Sequence, residues 1–397
     1  MAQKQRLRPK SRDEFEIGII CALALEADAI FTLFDHHWDE DFGKAYGDPN
    51  AYSTGVIGQH NVVLVHLPRT GKVAAANSAA FCRASYPGIR LTLVVGTCGG
   101  VPSYGKGTEI LLGDVIISTG VVQHDLGKRF TDKFRTKDTT EDSLGRPSLG
   151  IRCLLSKLKT RYHQGRLQIA TQKHLERVLK ETMKLRLRQG LQDHLCPADY
   201  RHKHQEPSEC KICAACNGNS DPVCEIALSS NCKELKCDAG QRLSRDRLGG
   251  IKFDIGNKSL SSNNDTLFPT IHFGTFASGD SLIRSAEYRD QLATSKDVIG
   301  FEMESVGVWE MFPTVVIKGV SNYADSHKND DWQDLAAASA AACTKAFLRY
   351  WESTKENTRS EAEEQKPRET AMNNIRFPEA KGRKDDNTPP ASPTTNQ

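Results

Sequence analysis

Long apolar runs without polar alternation recur along this chain: FEIGIICAL at residues 15–23, NVVLVHLP at 61–68, IRLTLVVGTCGGV at 89–101 and LGDVIISTGVV at 112–122. Two more follow late, PTIHFGTFASGDSLI at 269–283 and TVVIKGVSN at 314–322. Such runs predict strands covered on both faces, hence a layered α/β domain. The Ala-rich KVAAANSAAFCRASYP at 72–87 and WQDLAAASAAACTKAFLRYW at 332–351 predict helices, as does IGFEMESVGVWEMFP at 299–313.

Between these blocks the pattern changes. From about residue 130 to 264 the chain is first basic and helix-prone, then loop-like and rich in Cys. This predicts an insertion dividing a folded core of 14–128 and 266–351. Residues 1–13 read as a loose basic arm, and 352–397 as a disordered tail, because a segment with few large apolar groups cannot offset its ordering entropy.

Composition adds mainly exclusions. Lys and Arg number 53 against 50 Asp and Glu, a net charge of +3, so no global field points to nucleic acid or an anionic membrane. The basic stretch before the Cys-rich segment reads as a solvated helix face. The apolar run near the N-terminus is short and is interrupted by Glu26 and Asp28, unlike a signal-peptide core, and no run approaches the roughly 18 apolar residues of a membrane helix. The expectation is a soluble, cytoplasmic protein.

In open α/β sheets, ligands gather at the carboxyl ends of strands, and four such ends carry unusual content. Glu26 follows the first strand, either as a first-turn acid favoured by the helix dipole or as a general base for water. In VVGTCGGV the glycines, including Gly99 and Gly100, let backbone N–H groups approach a ligand, and Thr97 adds a hydroxyl; a tight turn is the other reading. Glu302 and Glu304 cannot share one helix face, being roughly 200° apart, but an irregular backbone could turn both inward around Met303, where sugar hydroxyls would satisfy them. The strand TVVIKGVSN delivers Ser321, Asn322 and Asp325 past its end, for a ligand or for a helix cap.

In this order GIICALALEADAI, RTGKVAAANSAA, VVGTCGGV, GDVIIS, ASGD, FEMES and SNYADSHKND resemble the motifs of the purine nucleoside phosphorylase and methylthioadenosine nucleosidase superfamily, most closely its fungal branch. The resemblance implies a three-layer α/β/α sandwich around a mixed, partly barrel-like sheet, usually oligomeric, with no catalytic cofactor and a small purine nucleoside or nucleotide as partner. It implies that Glu26 activates water, that Met303 and Glu304 bind ribose, and that Phe276 and Ser278 lie in or beside the segment meeting the base, with Thr97 near the nucleophile. The reaction implied is hydrolysis of the N-glycosidic bond.

Two departures bear on that implication. Related phosphorylases carry a phosphate-clamping Arg where this chain has Val94, which favours water as nucleophile and leaves Arg69 as the remaining candidate for a phosphate contact. The family usually has Asp at Asn322, as the acid for the departing base. That leaves a hydrogen-bonding amide, a substitute in Asp325, or a domain that binds nucleosides without cleaving them.

Seven of the twelve cysteines fall between Cys196 and Cys237. Without a signal peptide, disulfides are the less favoured use. Cys210, Cys213 and Cys216 have the spacing that presents thiolates to one tetrahedral zinc, which would staple a loop lacking its own core; an unstructured or redox-sensitive loop is the alternative.

Overall fold

The computed structural model describes residues 7–38, 41–182, 191–218, 221–248 and 269–352. Nine strands form one sheet: β1 (Ile17–Cys21), β2 (His36–Trp38), β3 (Ala51–Ile57), β4 (His60–His66), β5 (Leu91–Gly100), β6 (Val115–Gln123), β7 (Ile271–Ser278), β8 (Val298–Glu302) and β9 (Thr314–Asn322). Their order is β8-β7-β6-β9-β5-β1-β4-β3-β2, with parallel and antiparallel pairs mixed. β8 also pairs with β5, Gly300 against Gly100 and Phe301 against Gly99. That pairing closes β8, β7, β6, β9 and β5 into a ring, the partly barrel-like sheet expected.

The principal helices are α1 (Ala24–Phe31), α2 (Lys72–Ser85), α3 (Leu149–Leu158), α4 (Arg161–Thr182), α5 (Ala286–Lys296), α6 (Ser305–Trp309) and α7 (Gln333–Leu348). α1, α5, α6 and α7 pack on the mixed sheet and α4 packs on α7, completing the layered α/β architecture. α7 lies so close to β9 that a Cβ on Gly319 would meet the Ala336 carbonyl oxygen at 2.0 Å. Successive side chains of a strand point to opposite faces, so with Gly319 under α7 the neighbouring Lys318 is directed away from it.

Two expectations are corrected. Residues 299–313 do not form one helix: residues 298–302 are a strand, and only 305–309 are helical. The reason is burial on both sides, with Gly300 giving room to the ring of Phe276 and Ile299 filling the space over Gly274. The basic segment is not wholly a solvated insertion either. Ile151, Leu154, Leu155 and Leu158 of α3, with Leu167, Ala170, Leu175 and Val178 of α4, join the main core, so each of these helices has one buried stripe and one wet face.

The later part of the insertion has a small core of its own, Cys213, Ala227 and Leu235. It is tied to the sheet by charge. Arg245 donates to the carbonyls of Pro102 and Ile110, and Arg247 pairs with Asp114. At the N-terminus, Arg8 lies over the ring of Phe42 and Ser11 caps a 3-10 turn at Arg12–Glu14, so residues 8–14 are seated on the domain. Residues 1–6 of the expected arm and nearly all of the expected tail lie outside the described residues. No helix among the described residues is long and apolar enough to cross a membrane.

Candidate functional site

β1 ends at Cys21, and the chain turns through Ala22 and Leu23 into α1, whose first turn carries Glu26. Oε2 of Glu26 accepts from the backbone N–H groups of Ala22 and Leu23, both at 3.0 Å. Its Oε1 accepts from Thr97 N at 2.7 Å and from the Thr97 hydroxyl at 3.3 Å. Glu26 is therefore a helix-start acid and a cavity-lining group at once. The close approach depends on Gly96, at φ +156°, which leaves the space the carboxylate occupies.

Across the cavity the irregular link between β8 and α6 turns both neighbouring acids inward, as expected around Met303. Glu302 is used structurally: it accepts from Glu304 N, Ser305 N and the Ser305 hydroxyl. Burial, and then the charge of Glu304, push its carboxyl above the usual range. Glu304 accepts from Gly71 N at 3.3 Å and pairs with Lys318 Nζ at 3.1 Å.

Lys318 is 1 % exposed. Burial alone would pull the ammonium down, but Glu304, Glu26 and Glu302 more than offset this and hold it above its ordinary value, hence charged. This residue was missed in the sequence. Its signal was a lone Lys inside an apolar strand, where a charge is costly unless paired.

These groups line one cavity of about 330 Å³ together with Thr97, Gly99, Met303, Ser321 and Asn322. His124 lines it too, its Nδ1 buried without a partner and its ring held below the ordinary His range by burial. Asn322 Oδ1 accepts from Ala324 N at 3.0 Å, and Nδ2 donates to the Ser321 hydroxyl at 3.0 Å. Since Nδ2 carries two hydrogens, one remains available to a ligand.

Other candidates fall elsewhere. Asp325 lines a second cavity with Tyr323, His194 and His327, so it does not stand in for an acid beside Glu26. Phe276 is wholly buried with its ring against Gly300, Ser278 bonds the backbone of Val306, and Gly100 packs on Val320. None of these three lines the cavity. Arg69 is exposed and is not part of the cavity lining, and Val94 is buried within β5.

The sulfur groups also differ from expectation. Cys210 and Cys213 gather with Cys224, the three ligand atoms within 4.8 Å of one another, while Cys216 Sγ faces the carbonyls of Gly218 and Asp221. The short helix Lys211–Ala215 carries Cys213 toward Cys224, and Cys216 lies past its end. A second group, His202, Cys237 and His327, was not anticipated.

The fold and this site define a layered α/β protein with a carboxylate-lined cavity at its strand ends. Residues 16–191 match the family model described as the phosphorylase superfamily. A nucleotide-binding leucine-rich repeat (NLR)-like protein of Hyaloscypha variabilis is 29% identical over 342 residues, which are 85% of this chain and 29% of that protein. The chain thus spans well under half the length of this relative. Among solved structures, futalosine hydrolase of Helicobacter pylori is similar at 15% identity and a TM-score of 0.48, covering 86% of this chain and 100% of that one. The 5'-methylthioadenosine/S-adenosylhomocysteine nucleosidase of S. pneumoniae is similar at 18% identity and a TM-score of 0.48, with 85% and 100% covered.

Proposed function

We propose that this chain hydrolyses the N-glycosidic bond of a purine nucleoside or nucleotide. The observation that carries the reading is Glu26 facing the buried Lys318–Glu304 pair in one cavity. Cleavage builds positive character on the ribose and negative charge on the departing base, and only interactions stronger in that state accelerate it. Glu26 takes the proton of an attacking water, Glu304 accepts from the ribose hydroxyls while Lys318 holds it in place, and the free N–H of Asn322 donates to the leaving purine.

The electrostatics favour water over phosphate. Of the two ammonium groups in the lining, Lys318 is engaged by Glu304, Glu26 and Glu302, and Lys328 lies 3.4 Å from Asp330, so each already has acidic partners competing with an anionic nucleophile. Arg69 is outside the cavity. Incubation with adenosine, inosine, guanosine and methylthioadenosine, with and without phosphate, tests this: free ribose is expected with phosphate making no difference, and ribose 1-phosphate would overturn it. Glu26→Ala and Glu304→Ala variants as active as the parent would also overturn the assigned roles.

A second reading is a nucleoside-binding module of a larger protein that cleaves nothing. It is favoured by the neutral Asn322 and by the chain matching only 29% of its NLR-like relative. Tight nucleoside binding by calorimetry without base release over long incubation would establish it.

A further inference from the structure

The geometry points to a tetrahedral zinc site formed by His202, Cys232, Cys237 and His327, which joins the insertion to the loop that carries Asn322. We propose that this metal seats the Cys-rich part of the insertion on the strand-end loop. The inference concerns metal binding and stands whether or not the chain cleaves nucleosides.

The distances fit. In a tetrahedral site with Zn–S of about 2.3 Å and Zn–N of about 2.0–2.1 Å, a sulfur and a nitrogen ligand are roughly 3.6 Å apart. Cys237 Sγ lies 3.6 Å and Cys232 Sγ 3.7 Å from Nδ1 of His202. The ligand atoms of His202, Cys237 and His327 all lie within 4.8 Å of one another, and Cys232 joins this group of three through His202.

The surroundings fit as well. The other ring nitrogen of His202, Nε2, lies 2.9 Å from the Ser230 carbonyl. Donation there places the proton on Nε2 and leaves Nδ1 as a free lone pair, the usual outer-shell arrangement of a metal-bound imidazole. His327 is 6 % exposed, and its Nε2 is buried with no hydrogen-bond partner. Its ring is stacked on Tyr200 at 5.2 Å and stands edge-on to His202 at 5.1 Å, which fixes its orientation. Two thiols and two imidazoles form a donor set suited to zinc. Binding displaces the thiol protons of Cys232 and Cys237 to solvent, leaving two thiolates on the metal.

The need is visible in the packing. The separate hydrophobic cluster of the Cys-rich part is centred on Cys213, Ala227 and Leu235, too small a core to hold a segment of that length. His327 lies five residues past Asn322, so a metal bond at His327 fixes the loop that sets the position of Asn322.

The test is the zinc content of the full chain, expressed with zinc and dialysed against a weak chelator. His327→Gln and Cys237→Ser are each expected to lose one zinc per chain relative to the parent. Reading a difference keeps the result independent of metal held by Cys210, Cys213 and Cys224. Cobalt substitution gives a second readout: thiolate charge-transfer bands and tetrahedral d–d absorption should weaken in Cys232→Ser, whereas substitution of the exposed Cys153 by Ser leaves them unchanged. Parental zinc content in both folded variants, or a parent that binds no zinc, would overturn the proposal.

Discussion

A Cβ on Gly96 would stand 2.1 Å from Oε1 of Glu26. The glycine is thus the space in which the carboxylate sits, between Thr97 N and the turn at Ala22 and Leu23. Gly96→Ala should expel that carboxylate, and its effect on base release should match that of Glu26→Ala, a loss of about 10²–10⁴-fold if Glu26 is the general base. Chromatographic assay of free base, with near-UV circular dichroism to show that the fold is kept, checks this. A Gly96→Ala protein working at the parental rate would contradict the placement of Glu26.

Lys318 and Glu304 should be unequal partners in stability. Removing one member of a buried pair costs about 3–5 kcal/mol, because the other is left uncompensated. Lys318→Met strands Glu304 and also removes the cation that Glu26 and Glu302 share, whereas Glu304→Gln leaves Lys318 with two acids nearby. Urea unfolding should therefore rank Lys318→Met below Glu304→Gln. The double variant should lose less than the sum of the two, and strict additivity would mean that the pair is uncoupled.

Much of the frame was legible because continuous apolar runs have few uses besides buried strands, and because Glu26, Thr97 and Glu304 sit where such runs end. What sequence could not supply was partnership across the chain. Lys318 reads as a misplaced charge until Glu304, fourteen residues earlier, is brought against it. Cys216 has ideal spacing from Cys213, yet its sulfur faces the carbonyls of Gly218 and Asp221, and Cys224 is the thiol brought beside Cys210 and Cys213. The strand at 298–302 was hidden by its acids, which mark its end rather than a helix face. The buried stripe of α4 was masked by the Lys and Arg on its wet side.

Asp114 should govern acid stability where the insertion meets the sheet. Burial pushes its carboxyl up, but hydrogen bonds from His272 and Arg247 more than offset this and leave it below the ordinary 3.8. Thr270 N also donates to it, at 2.8 Å. A carboxyl depressed in the folded state binds its proton less readily than in the unfolded chain. Its stabilising contribution is therefore complete well above pH 3.8 and is lost as pH falls through the lower folded value. Unfolding free energies of the parent and Asp114→Asn, measured by urea from neutral pH downward, should differ most near neutrality and converge below pH 3.8. A gap that stays constant with pH would show that Asp114 acts through packing alone.

Asn322→Asp should turn a hydrogen-bond donor into an acid at the departing base. The change is nearly isosteric, and the contacts of the present side chain can survive it. One carboxylate oxygen keeps the Ala324 N–H that Oδ1 now accepts, and the other can accept from the Ser321 hydroxyl, which rotates away from the Cys98 carbonyl. Position 322 is 8 % exposed, and burial raises a carboxyl toward the range in which it holds a proton to give. A positioned acid contributes about 10²–10⁴-fold, so release of 6-amino purines should rise by at least about tenfold. Release of 6-oxo purines, for which an amide is the better partner, should rise less. Parallel assays of adenosine and inosine separate the outcomes: a gain on both means the parent is a slow enzyme lacking its acid, and a gain on adenosine with a loss on inosine means Asn322 selects the base. Unchanged release of both would place the purine away from Asn322 and overturn its role.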